Sequence, residues 1–156
     1  MRQYQTLDTV SHDAANNTLL FTAGGDDPCG PTLWFGREGM YLSVSAGYGP
    51  IEIALRPRLR NVVTSFAQLR PTARLTVMRM VGTGQAHLEL GLSSDGELLV
   101  RAAIVADATG HLAMNMVLTS EALRAVPPPS PVSSPDPPSR SEAVGAASPR
   151  SGSGGR

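Results

Sequence analysis

Up to Val126 the chain is dominated by apolar positions that alternate with polar ones. Ala86, Leu88, Leu90 and Leu92 alternate with Gln85, His87, Glu89 and Gly91, the clearest two-residue period in the sequence. Leu112, Met114, Met116 and Leu118 alternate in the same way with His111, Ala113, Asn115 and Val117. A period of two belongs to a strand with one buried face. Pro50–Leu55 follows it more briefly, with Ile51, Ile53 and Leu55 on one side and Glu52 opposite. Thr18–Thr22 is short and rich in β-formers. Thr32–Phe35 and Met40–Val44 flank Gly36-Arg37-Glu38-Gly39, where the glycines suit a hairpin with positive φ. Ala73–Val81 reads as a further strand. Glu97–Ala106 is apolar on both faces apart from Arg101, the pattern of a central strand.

Between these runs the period changes once. Leu59, Val62, Val63, Phe66 and Leu69 fall on one stripe of a helix over 58–69, which Pro71 ends. A second, shorter helix is predicted over Glu121–Val126, with Thr119 or Ser120 as its cap. The predicted order is four strands and a helix, then four strands and a shorter helix. This is an α+β fold of antiparallel sheet, ββββα repeated twice. Gly39, Leu42 and Gly49 can be laid over Gly96, Leu99 and Gly110, as an internal duplication requires. In architecture alone this order is similar to the Whirly and PUR families, which bind single-stranded nucleic acid. No sequence motif of either family is present.

Composition changes after Val126. Residues 127–156 are almost entirely Pro, Ser, Gly, Ala and Arg, with Val132 and Val144 the only large apolar side chains. Such a segment buries too little to offset its chain entropy, so a disordered tail is expected after a single domain over 1–126. The chain has thirteen arginines, no lysine and thirteen acids. Setting aside Arg140, Arg150 and Arg156 with Asp136 and Glu142 leaves ten arginines against eleven acids, a net charge of −1. No global basic field therefore draws the domain to nucleic acid. No apolar run approaches the roughly 20 residues of a membrane span. The N-terminus lacks the apolar stretch of a secretory signal, so the expectation is a cytoplasmic protein with no membrane partner.

Candidate chemistry is sparse. A lone Cys29 has no signature joining it to a base at His12, His87 or His111, and no phosphate loop or nucleophile elbow occurs. No enzyme, cofactor or metal is expected. Met78, Met80, Met114 and Met116 could hold a soft metal such as Cu(I), supplemented by His87, His111 and Cys29, but packing accounts for methionines on apolar strand faces. His87 and His111 approach one another only if their strands pair. Arg101 needs a partner such as Glu89 or Glu97, because an unpaired charge is costly to bury. One cluster has binding character: Trp34, Tyr41 and Tyr48 with Arg37, Arg56, Arg58 and Arg60, stacking platforms beside guanidinium groups. The leading expectation is a non-enzymatic interaction module, of adaptor, accessory or immunity type, for an unknown protein partner or a second copy. The alternative is a single-stranded nucleic-acid binder using the aromatic–arginine face.

Overall fold

The computed structural model describes residues 3–25, 27–72, 79–106 and 110–128. Six strands come first: β1 (Gln5–Leu7), β2 (Thr9–Asp13), β3 (Thr18–Thr22), β4 (Thr32–Glu38), β5 (Tyr41–Tyr48) and β6 (Ile51–Leu55). Helix α1 (Leu59–Ala67) follows, then β7 (Pro71–Thr72), β8 (Arg79–Gly82), β9 (Ala86–Ser93), β10 (Leu98–Ala106) and β11 (Gly110–Leu118), and last α2 (Ser120–Arg124).

The strands form two sheets. One is a five-stranded antiparallel meander in the order β2-β3-β4-β5-β6. The other has six strands in the order β1-β11-β10-β9, with β7 and β8 both pairing with β9. Most pairings are antiparallel; β1 with β11 and β7 with β9 are parallel. The chain crosses between sheets at Asp8, whose amide donates to Thr22 O at 3.1 Å.

One hydrophobic cluster joins the sheets. Leu33, Val44, Ala46 and Ile53 from the five-stranded sheet meet Leu7, Leu88, Leu90, Val100, Met116 and Leu118 from the six-stranded one. Each fully buried leucine or isoleucine here contributes about 1.5–3 kcal/mol through the area it withdraws from water. Phe21 and Phe35 add an edge-to-face contact, centroids 6.1 Å apart, at the rim of this layer.

The expected α+β class and the twofold ββββα order are overturned. The described residues are mostly strand, in two sheets of six and five, with two short helices. With that order gone, the architectural similarity to the Whirly and PUR families goes too. The count went astray at β1, β2 and β7. Gln5–Leu7 and Thr9–Asp13 lie at sheet edges and carry only Leu7 and Val10 as apolar residues, so they leave no alternation to read. Pro71–Thr72 is two residues long. The expected strand over 73–81 is described only from Arg79, residues 73–78 lying outside the described set. The tail expected over 127–156 lies outside it too, apart from Pro127 and Pro128.

Smaller corrections follow from packing. The α1 stripe is rotated from the one predicted: Val62 is buried at 3% exposure, whereas Val63 and Phe66 stand 57% and 40% exposed. The β4–β5 hairpin turns at Gly39 (φ +59°), so β4 runs on to Glu38. For α2 the cap is Thr119, whose hydroxyl accepts from Ala122 N at 3.2 Å.

Candidate functional site

The aromatic–arginine cluster is decided by the alternation of β4. Leu33 and Phe35 point into the core, so Trp34, Gly36 and Glu38 point outward. The register with β5 sets Trp34 opposite Ser45, Gly36 opposite Ser43 and Glu38 opposite Tyr41. Across the next ladder Ser45 faces Ala54 and Gly47 faces Glu52, and an isolated bridge sets Arg58 opposite Tyr41. The outward face of β4, β5 and β6 therefore gathers Trp34, Tyr41, Arg56 and Arg58.

Trp34 lies along its own strand. A Cβ added at Gly36 would stand 2.3 Å from the Trp34 Cη2 atom, so glycine is what lets the indole lie flat there. Beside it the side chains are small. Trp34, Ser43, Ser45, Glu52, Ala54 and Arg56 line an open recess of about 410 Å³. The Arg56 guanidinium donates to a Glu38 carboxylate oxygen at 2.7 Å and lies 5.2 Å from the Tyr41 ring centroid. The Ser45 hydroxyl donates to Glu52. The charged residues lining the recess are thus Glu52 and Arg56, and Arg56 is paired with Glu38.

The remaining members of the cluster are elsewhere. Arg37 pairs with Leu42 at the far end of the hairpin and lines a separate recess with His12, Leu19 and Phe35. Arg60 joins Arg58, Asn61, Thr64 and Met80 in a groove beside α1. Tyr48 sits at the opposite end of β5 and belongs to a second surface.

Sequence reasoning missed that second surface as a surface. Tyr48 and Ile51 on the β5–β6 turn, and Leu112 at the start of β11, are 51%, 47% and 40% exposed. Together with Gln3, Gln5, Met114 and Asn115 they line a groove of about 260 Å³ that draws on both sheets and holds no charged side chain. Ile51 and Leu112 keep the apolar phase of their strands but stand at strand starts, beyond the closed part of the core. Pro50, immediately before Ile51, and Gly110, two residues before Leu112, were the available signal.

The other candidates are dispersed. β10 separates β9 from β11, so His87 (opposite Ala103) and His111 (opposite Val105) are not ladder neighbours. His87 is buried: its Nδ1 lies 3.1 Å from Thr83 O and its Nε2 3.3 Å from a Glu89 oxygen. That same oxygen accepts from Arg101 at 2.6 Å, which answers the need for a partner at Arg101. Met116 is core at 1% exposure and Met114 packs against the core, whereas Met80 is 59% exposed. Met78 lies outside the described residues. Cys29 is an exposed free thiol whose amide donates to Asp27 at 2.9 Å. Among the described residues no three His, Cys, Asp or Glu side chains gather as a metal set, and no helix is long and apolar enough to cross a membrane.

Comparison with protein-family models, with curated proteins and with solved structures finds no match for this chain.

Proposed function

We propose that the protein is a non-enzymatic, cytoplasmic protein-interaction module whose contact surface is the Tyr48–Ile51–Leu112 groove. One observation carries this reading. Of seven large hydrophobics exposed among the described residues, three come from two different sheets and converge on one groove. Isolated exposed apolar side chains are ordinary, but a convergent set rimmed by polar residues is the composition of a contact surface. The lining is uncharged: Gln3, Gln5 and Asn115 supply its polar groups. The occupant that fits is an extended, apolar, uncharged segment of another protein. The groove opens beside Ile51, at the start of edge strand β6, which among the described residues has a ladder with β5 alone, and an added strand suits its other edge.

The test is selection of displayed random peptides on the purified protein, with counter-selection on Ile51→Glu/Leu112→Glu. Apolar peptides that bind the parent and lose the variant support the reading. Peptides that bind both alike, or no enrichment at all, contradict it. Sedimentation velocity of both proteins over a concentration series shows whether a second copy occupies the groove.

A further inference from the structure

The recess beside Trp34 is independent of the groove and has a different chemistry. We infer that it is a saccharide subsite, with one uncharged pyranose ring stacked on the Trp34 indole and its hydroxyls held by Glu52, Ser43 and Arg56. A pyranose presents axial C–H bonds on a face and hydroxyls around its edge. The face of an indole carries the negative lobe of its quadrupole and attracts C–H groups, in addition to the area that stacking buries. Gly36 holds the indole flat, and Ser43, Ser45 and Ala54 keep the space beside it open. The volume of about 410 Å³ lies within the ~300–1,000 Å³ of small-molecule sites.

The rim supplies both kinds of hydrogen-bonding group. Glu52 accepts from Ser45 at one oxygen, which leaves the second as an acceptor for ligand hydroxyls. Arg56 is fixed by Glu38 and Tyr41 and has N–H donors to spare. Three adjacent strands carry these groups, so little ordering is needed on binding. Charge separates the saccharide from a phosphate ligand. Nucleic-acid binding draws on an excess of cations that displaces counterions, whereas the charged residues lining this recess are Glu52 and Arg56, and Arg56 is paired with Glu38.

Trp34 is the sole tryptophan of the chain, so its emission reports this recess directly. The experiment titrates the full chain with oligosaccharides of α- and β-linked glucose, mannose, xylose and N-acetylglucosamine, and with a short oligothymidylate, at two salt concentrations. The expected result is a saturable, salt-insensitive emission change with at least one oligosaccharide. Glu52→Ala and Ser43→Val, each with unchanged far-ultraviolet circular dichroism, should weaken that binding by about tenfold or more. The inference is overturned if no oligosaccharide changes the emission at millimolar concentration. It is equally overturned if only the oligothymidylate does so in a salt-sensitive way, or if folded variants bind as the parent does.

Discussion

β10, at the centre of the six-stranded sheet, is buried on both sides. Val100 and Ala102 face the other sheet at 1% exposure, and on the opposite side Leu99 and Ala103 are 3% and 1% exposed. β4, at the centre of the five-stranded sheet, is buried on one side only: Leu33 points inward at 0%, while Trp34 looks onto an open recess. A strand covered on both faces reads as a continuous apolar run, and Leu98–Ala106 does so apart from Arg101. A strand with one wet face alternates, as Thr32–Glu38 does. The difference separates the two central strands: β10 is covered on both faces, whereas β4 leaves its outward face against solvent.

Matched substitutions on the outward faces should break or sharpen this contrast. Leu99→Ala should cost about 2–5 kcal/mol in urea unfolding, as truncation of a buried leucine does. Leu20→Ala on the outward face of β3 should cost no more than about 1 kcal/mol. Equal losses would mean that the outward faces do not differ in kind.

The same logic applies to two arginine–glutamate pairs of nearly equal length. Arg101–Glu89 at 2.6 Å is 19% and 18% exposed, and Arg56–Glu38 at 2.7 Å is 61% and 50% exposed. Arg101→Ala removes a charged donor from a largely buried carboxylate and should cost about 1–3 kcal/mol. Arg56→Ala breaks a solvent-screened pair and should cost about 0–1 kcal/mol. Chemical unfolding of both variants at low and high salt checks the order.

Gly36→Ala tests whether glycine holds the indole down. The new methyl meets Cη2, so Trp34 must swing outward, and its emission maximum should move to longer wavelength with only a modest loss of stability. An unmoved maximum would detach the recess from Gly36.

The smallest effect concerns the β2–β3 turn. The Asp13 carboxylate is held below the ordinary carboxylate range, first by the Asn16 side-chain amide at 2.6 Å and then by the Asn16 and Ala15 backbone amides. A depressed folded-state pKa contributes stability above the unfolded value, and that contribution fades as pH falls through the folded one. Asn16→Ala should move the Asp13 titration, followed by carbon-detected NMR, back toward ordinary values.

What could be read in advance was the inner layer. Leu88, Leu90, Met116 and Ile53 announce their buried phase because a closed core enforces it residue by residue. The central place of β10 and the need for a partner at Arg101 were legible for the same reason. The edges were not: Gln5–Leu7 and Thr9–Asp13 are strands through ladder hydrogen bonds rather than burial, and ladder bonds are blind to side-chain type. Without them the two-sheet architecture cannot be counted. The candidate site was legible in part. Trp34, Tyr41, Arg56 and Arg58 share a face because strand parity and a tight turn fix it. Arg37 and Tyr48 miss that face because they carry the opposite parity, Arg60 because it lies on α1. Convergence of Tyr48 and Ile51 with Leu112 depends on how the sheets pack, which no local pattern encodes.

The most direct test of the groove uses one selected apolar peptide and two variants that retain their fold. Its Kd is measured by isothermal titration for the parent, for Leu112→Glu in the groove and for Gly36→Ala in the recess. The expected result is a loss of about tenfold or more with Leu112→Glu, since burying a carboxylate opposes binding, and almost none with Gly36→Ala. An unchanged Kd in Leu112→Glu, or a loss confined to Gly36→Ala, would contradict the placement of the protein-binding surface.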